Sequence, residues 1–235
     1  MSAVKELHAS LREDQLVALP HAPITASPVP WLTSIHSTPG RGHYGDARYP
    51  GNCSGKIIRD LLLFFQPRNV LDPMTGSGTC RDVCRELRLP CYSGDIRTGF
   101  DACDASSYPA EKYDFVWLHP PYWRMKKYTQ DPRDLSGAPT MEDFYKRLYR
   151  LLVAASSKLS ENGRMAVLMG DYQDMAVRRF IPCTHMVRHI CLQIGLWPAC
   201  TEIIRFQHGN SSSNKTYSSS FIPGLHDTCM IFGKK

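Results

Sequence analysis

The sequence predicts an α/β fold, a mostly parallel sheet with helices on both faces, from three observations. Short apolar runs with strand character alternate with helical stretches between Asn69 and Met169, and strand–helix alternation of this kind lays strands side by side in one direction. The 235 residues, 43% of them hydrophobic, suit one full core rather than two. Two further apolar runs near the C-terminus, Thr201 to Phe206 and Thr228 to Phe232, complete the sheet as a hairpin-like pair.

Taken in order, residues 1–42 read as a Pro-rich arm carrying Pro20, Pro23, Pro28, Pro30 and Pro39, better suited to wrapping a core than to a repeating element. Residues 43–235 read as one domain. Lys56 to Phe65 predicts a helix that stops before Pro67. A buried strand runs from Asn69 to Asp72, a helix from Gly78 to about Leu89, and a strand from Cys91 to Gly94. Next come a strand over Asp114 to Leu118, a long helix from Met141 to Leu159, a strand from Arg164 to Met169 and a helix from about Thr184 to Ile194. The segments 123–140 and 207–222 read as loops, the second holding the serine-rich stretch Gly209 to Ser220.

Lys and Arg outnumber Asp and Glu by 28 to 22, a formal charge of +6, which fits a nucleic-acid partner without requiring one. Nine cysteines and a start without a charged-then-apolar leader predict reduced thiols in a cytoplasmic protein. Cys80 and Cys84 sit four apart on a predicted helix with no Cys-x-x-Cys pair, so packing is expected and no metal. The longest apolar run, Leu61 to Phe65, is too short for a bilayer.

Two segments carry the chemistry. The first runs from Val70 through Asp72, Pro73, Met74, Thr75, Gly76, Ser77, Gly78 and Thr79. It places an acid at a strand end, then small residues, then a helix start, where free amides and close backbone approach favour a bound ligand. It lacks the Gly-Lys-Ser/Thr of a phosphate loop, and Arg81 breaks the Gly-x-Gly-x-x-Gly pattern. Asp95, followed by Ile96, ends the next strand, where a carboxylate can accept from both hydroxyls of a ribose. Asp101 follows in the next loop, within reach of an adenine amino group. The same acids also suit ordinary solvated turns.

The second segment is His119, Pro120, Pro121, Tyr122, directly after the apolar run Phe115 to Leu118. Consecutive prolines donate no backbone hydrogen bonds, so their carbonyls can face a cleft in a stiff geometry that accepts from an amino group. Tyr122 supplies a ring to stack on a flat acceptor. In isolation these residues better suit a strand end with core aromatics; lying at the same sheet edge as the glycine turn shifts the balance to a site. No covalent cysteine is required, and Cys53 and Cys80 are expected to pack.

Together the two segments resemble the amino-methyltransferases of the DNA N4-cytosine and N6-adenine type, over about residue 43 to the C-terminus. The resemblance implies a Rossmann-like class I methyltransferase fold with a seven-stranded sheet, S-adenosylmethionine held by Asp72, Gly76, Gly78 and Thr79, and its ribose held by Asp95. The implied cofactor set extends to Pro73, Thr75, Ser77, Ile96 and Asp101. It implies catalysis by His119, Pro120, Pro121 and Tyr122 on the exocyclic amine of a flipped base, with DNA as partner and RNA as the nearest alternative. The family's catalytic motif opens with Asp, Asn or Ser, and His119 departs from it, leaving the target base open. Tyr49 to Lys56 looks like the family segment at the methionine end of the cofactor. The loop residues Trp123, Arg124, Lys126, Lys127 and Tyr128, with Arg133, are expected to stack on bases or meet phosphates, and equally suit a solvated loop. Arg178, Arg179 and Arg188 extend the basic surface. Transfer to a protein glutamine amide, and a fold that binds nucleic acid without turnover, stay open, as do recognition site and oligomeric state.

Overall fold

The computed structural model describes residues 21, 23–38, 40–206, 222 and 224–235. The serine-rich stretch 209–220 and much of the arm, including Pro20 and Pro39, therefore lie outside the described residues.

The alternation expected from sequence is present. In chain order the elements are β1 (Ile35–His36), α1 (Gly55–Phe65), β2 (Val70–Asp72), α2 (Thr79–Glu86), β3 (Cys91–Ser93), β4 (Tyr113–Leu118), α3 (Met141–Ser157) and β5 (Leu159–Met169). They continue as β6 (Tyr172–Asp174), β7 (Arg179–Ile181), α4 (Cys183–Gln193), β8 (Leu196–Pro198), β9 (Ile203–Phe206) and β10 (His226–Lys234).

The main sheet runs β1-β9-β10-β5-β4-β2-β3, with β8 paired to the far end of β10. The sheet has eight strands where the resemblance implied seven, and of the eight only β10 runs against the others. The expected hairpin-like pair is β9 and β10, bonded antiparallel. The hairpin β6–β7 and the short strands β1 and β8 were not anticipated. Each is two or three residues long, too short to show a period in sequence.

Strand β4 explains why the sheet needs helices on both sides. Successive side chains of a strand point to opposite faces. Val116 and Leu118 join a core with Leu148, Leu151 and Leu152 of α3 and Val187 and Ile190 of α4. Phe115 and Trp117 join a second core with Ile57, Ile58 and Leu61 of α1 and Val83 of α2. A strand apolar on both faces must be covered twice. Local signals set the helix ends: Ser54 Oγ accepts from Lys56 N ahead of α1, and Thr140 Oγ1 accepts from Asp143 N ahead of α3. Among the described residues no helix is long and apolar enough to cross a membrane.

The strand order positions the site. From β2 the chain goes to β3 on one side and then crosses to β4 on the other. The strand ends part at that reversal, which leaves a crevice beyond β2 and β4.

Candidate active site

An open cleft of about 850 Å³ lies beyond β2, and its wall includes Asp72, Pro73, Thr75, Gly76, Ser77, Thr79, Asp95, Ile96 and Asp101 together with His119 and Pro121. The glycine turn therefore shares one space with His119 and Pro121, whereas Tyr122, expected to stack on a flat acceptor, is not part of that wall and turns its hydroxyl to Asp227. Gly78 turns the chain at φ +86° just before α2, and Pro120 is buried behind the wall.

The turn is shaped by backbone bonds. Gly94 N donates to Asp72 O and Thr75 N to Gly94 O, both at 2.9 Å, stitching the ends of β2 and β3. Gly76 sits at φ +52°, a left-handed conformation that favours glycine, and a Cβ there would press on the Tyr49 ring at 3.0 Å. Its amide donates to Asp95 Oδ2 at 3.0 Å.

The two carboxyls are tuned in opposite directions. Asp72 is 2% exposed and burial pushes its carboxyl up to about 8. The Thr75 hydroxyl lies near enough to help hold its charge, yet it is buried without a completed hydrogen bond. A buried acid and an orphaned hydroxyl facing one cleft fit a cationic, hydrogen-bonding ligand. Burial pushes Asp95 up too, but the Arg97 guanidinium and the amides of Arg97 and Gly76 outweigh it, holding the carboxyl below its usual range. Arg97 occupies both oxygens, with Nε on Oδ1 at 2.8 Å and a second nitrogen on Oδ2 at 3.2 Å. It also lies over the Tyr49 ring at 4.9 Å. A ribose at Asp95 has to displace it. Asp101 accepts from Cys103 N at 2.9 Å, which holds its loop.

At the other end of the cleft, His119 Nε2 lies 3.3 Å from Tyr122 Oη, and Tyr122 Oη donates to Asp227 Oδ1 at 3.2 Å. Arg205 donates to Asp227 Oδ2 at 2.6 Å. Burial lowers His119 to about 4, so its ring is neutral at neutral pH, and burial raises the Tyr122 phenol well above its usual value. Gly170, at the end of β5, lets these groups meet: a Cβ there would come within 2.5 Å of Asp227 Oδ1 and 3.0 Å of the Tyr122 ring.

The residues expected to face an acceptor divide. Trp123 is 3% exposed, donates from Nε1 to Ala138 O at 2.9 Å and stacks on Phe144. It is a core residue and not a free stacking platform, because its indole nitrogen finds a partner only inside. Arg124 is held by Asp174 at 2.9 Å rather than left for a phosphate. Lys127 reaches Gln130 at 2.8 Å, and Lys126 is exposed. Tyr128 does line the cleft, stacked on Tyr49 at 5.8 Å beside the glycine turn. The loop 123–140 thus closes over the glycine-turn end, contributing Thr129, Arg133 and Asp134 as well. Arg133 is paired with Asp131. Arg188 pairs with Glu202 on the surface.

The segment from Tyr49 also reaches the cleft through Gly51, Asn52 and Cys53, and Thr79 Oγ1 donates to Asn52 Oδ1. Burial pushes the Cys53 thiol up to about 12, which removes it as a thiolate nucleophile. Cys80, Cys84 and Cys91 bring their sulfurs within 4.8 Å of one another behind the turn, an approach the spacing of the first two did not disclose. Three thiols are one ligand short of a closed structural zinc site. Arg97, Gly170, Arg205 and Asp227 belong to no motif. The signal that existed was a pair of adjoining strand runs ending in opposite charges, Arg205 and Asp227.

TrmN from Thermus thermophilus matches 79% of this chain and 50% of its own, with a TM-score of 0.51 at 17% identity. The fold is that of a class I methyltransferase. A SAM-dependent methyltransferase from Archaeoglobus fulgidus matches 77% of this chain and 95% of its own, at TM-score 0.46 and 16% identity. The cytosine-N4-specific PvuII DNA methyltransferase matches 57% and 47%, at TM-score 0.40 and 17% identity. The chain spans about half the length of TrmN and of the PvuII enzyme. No family model and no curated protein matches the sequence.

Proposed function

We propose that the chain is an S-adenosylmethionine-dependent methyltransferase acting on the exocyclic amino group of a flipped nucleic-acid base, with DNA as the substrate (N6-adenine or N4-cytosine). The observation that carries this reading is the single cleft shared by the glycine turn and His119 with Pro121. When bound, the cofactor supplies a methyl group on a sulfonium centre.

The chain's own residues account for the rest. Asp72, a buried acid at a strand end, suits the cofactor's ammonium, and Asp95 suits its ribose once Arg97 moves aside. Ile96, Phe100 and Ala102 give that end an apolar wall for a flat base. At the other end the Pro121 carbonyl and the neutral His119 ring accept the two hydrogens of an amino group, orienting its lone pair for in-line attack. Flipping the base costs on the order of a few kcal/mol, which binding in a fitted pocket offsets.

The direct test incubates the full chain with methyl-labelled S-adenosylmethionine and unmodified duplex DNA, single-stranded DNA, RNA or glutamine-bearing peptide, then identifies the labelled product. N6-methyladenine or N4-methylcytosine in DNA is the expected outcome. Label in RNA or peptide alone would move the substrate, and cofactor binding with no labelled product would overturn the enzymatic reading.

A further inference from the structure

We infer that Asp227 and Arg205 are positioning residues for the acceptor end of the cleft: acting through Tyr122, they fix the His119 ring in the Nε2–H form and leave Nδ1 as its one hydrogen-bond acceptor. The role assigned to Nδ1 rests on the proposed transfer to an amino group; the tautomer does not.

The argument follows the protons. Asp227 is 4% exposed and lies directly across the ladder from Arg205 where β9 pairs with β10. The register of two strands therefore supplies the counter-charge, and the Arg205 side chain closes on Oδ2 at 2.6 Å. A carboxylate paired with a guanidinium only accepts, so the single phenolic hydrogen of Tyr122 goes to Oδ1 at 3.2 Å. The phenolic oxygen then offers only lone pairs to His119 Nε2 at 3.3 Å. Nε2 must donate. In a neutral ring that leaves the lone pair on Nδ1, and burial keeps the ring neutral. His119 itself lines the cleft, and with Nε2 turned to Tyr122 the nitrogen left to meet an amino group there is Nδ1.

This also accounts for the departure at His119. Asp, Asn or Ser carries an acceptor oxygen whatever its surroundings, whereas imidazole presents an acceptor on a chosen side only if something holds the other nitrogen protonated. The hydrogen-bonded chain from Arg205 through Asp227 and Tyr122 does so. Gly170 is part of the same arrangement, since any side chain there would meet Asp227 Oδ1 and the Tyr122 ring.

The test is two-bond proton–nitrogen correlation NMR on protein labelled with ¹⁵N-histidine at neutral pH, with the His119 signal assigned by its loss in His119→Gln. The expected spectrum has Nε2 protonated and Nδ1 bare. Asp227→Asn should convert it to a mixture of forms, Arg205→Met should do likewise, and Arg205→Lys should restore the single form. Transfer should fall about a hundredfold in Asp227→Asn with cofactor affinity unchanged. If Asp227→Asn disturbs the sheet, Tyr122→Phe removes the same bond without touching a strand and should give the same mixture. A wild-type ring protonated on Nδ1, or a spectrum unmoved by Asp227→Asn and Tyr122→Phe, would overturn the inference. The Nε2–H spectrum in a protein that methylates none of the acceptors would uphold the tautomer and overturn the transfer reading instead.

Discussion

The two ends of the cleft are built on different principles. At the glycine turn the wall is backbone: Asp72 to Thr79 is one continuous segment, stitched by main-chain bonds to Gly94, and its own glycines create the space. At the acceptor end the wall is side chain. His119 depends on Tyr122, which depends on Asp227, 105 residues further along, which depends on Arg205 on another strand. One end is local and the other is assembled by the sheet. Each should therefore fail separately.

The sharpest test of that separation is His119→Ala, which removes an acceptor that matters only during transfer. Transfer should drop on the order of a thousandfold while calorimetry finds cofactor affinity unchanged; loss of cofactor binding would show that the two ends are one unit. Asp72→Asn should do the reverse. It should weaken S-adenosylmethionine binding by roughly 2–3 kcal/mol, about 30- to 150-fold, and leave the His119 NMR signal where it was.

Gly170→Ala probes the sheet-assembled end through sterics alone. The added methyl should cost about 1–3 kcal/mol of stability in denaturant titrations and slow transfer about tenfold, with cofactor affinity intact. Asp72 also gives the local end a pH signature. Its folded-state value, about 8, lies above that of an unfolded aspartate, so the folded, ligand-free protein holds the extra proton and loses stability as pH rises towards 8. Thermal midpoints taken between about pH 7 and about pH 8, where His119 is neutral folded and mostly neutral unfolded, should fall in the wild type and fall less in Asp72→Asn. For the same reason cofactor binding at neutral pH should release a proton, read as a buffer-dependent enthalpy.

The smallest effect concerns the loop cations. Lys126→Ala should lower the salt slope of nucleic-acid affinity by roughly one ion. Arg124→Ala should leave it unchanged, because Asp174 already holds that guanidinium.

The same contrast governs what was legible in the sequence. The glycine turn, its helix and Asp95 were all readable, because strand, turn and helix follow one another and each carries its own signal. Val116 and Phe115, neighbours bound for opposite cores, announced a strand buried on both faces. The acceptor end was half legible. His119 to Tyr122 stood out by composition, but nothing near them in the chain names Asp227. Trp123 and Arg124 were expected to meet an acceptor by adjacency to that motif, whereas Ala138 holds the Trp123 indole inside and Asp174 pairs with Arg124. Those partners are distant in sequence, and distance hides pairing from any local pattern.

Strand β10 is the last element in chain order and yet lies inside the sheet, between β9 and β5. During synthesis the glycine turn is complete long before β10 emerges, and β5 waits with an open edge for its antiparallel neighbour. The glycine-turn end of the cleft is therefore synthesised before β10, but the His119 end is complete only with it, since the Asp227 carboxylate lies on that strand. Completing that end of the cleft is in this sense tied to placing the strand that fills the sheet between β9 and β5.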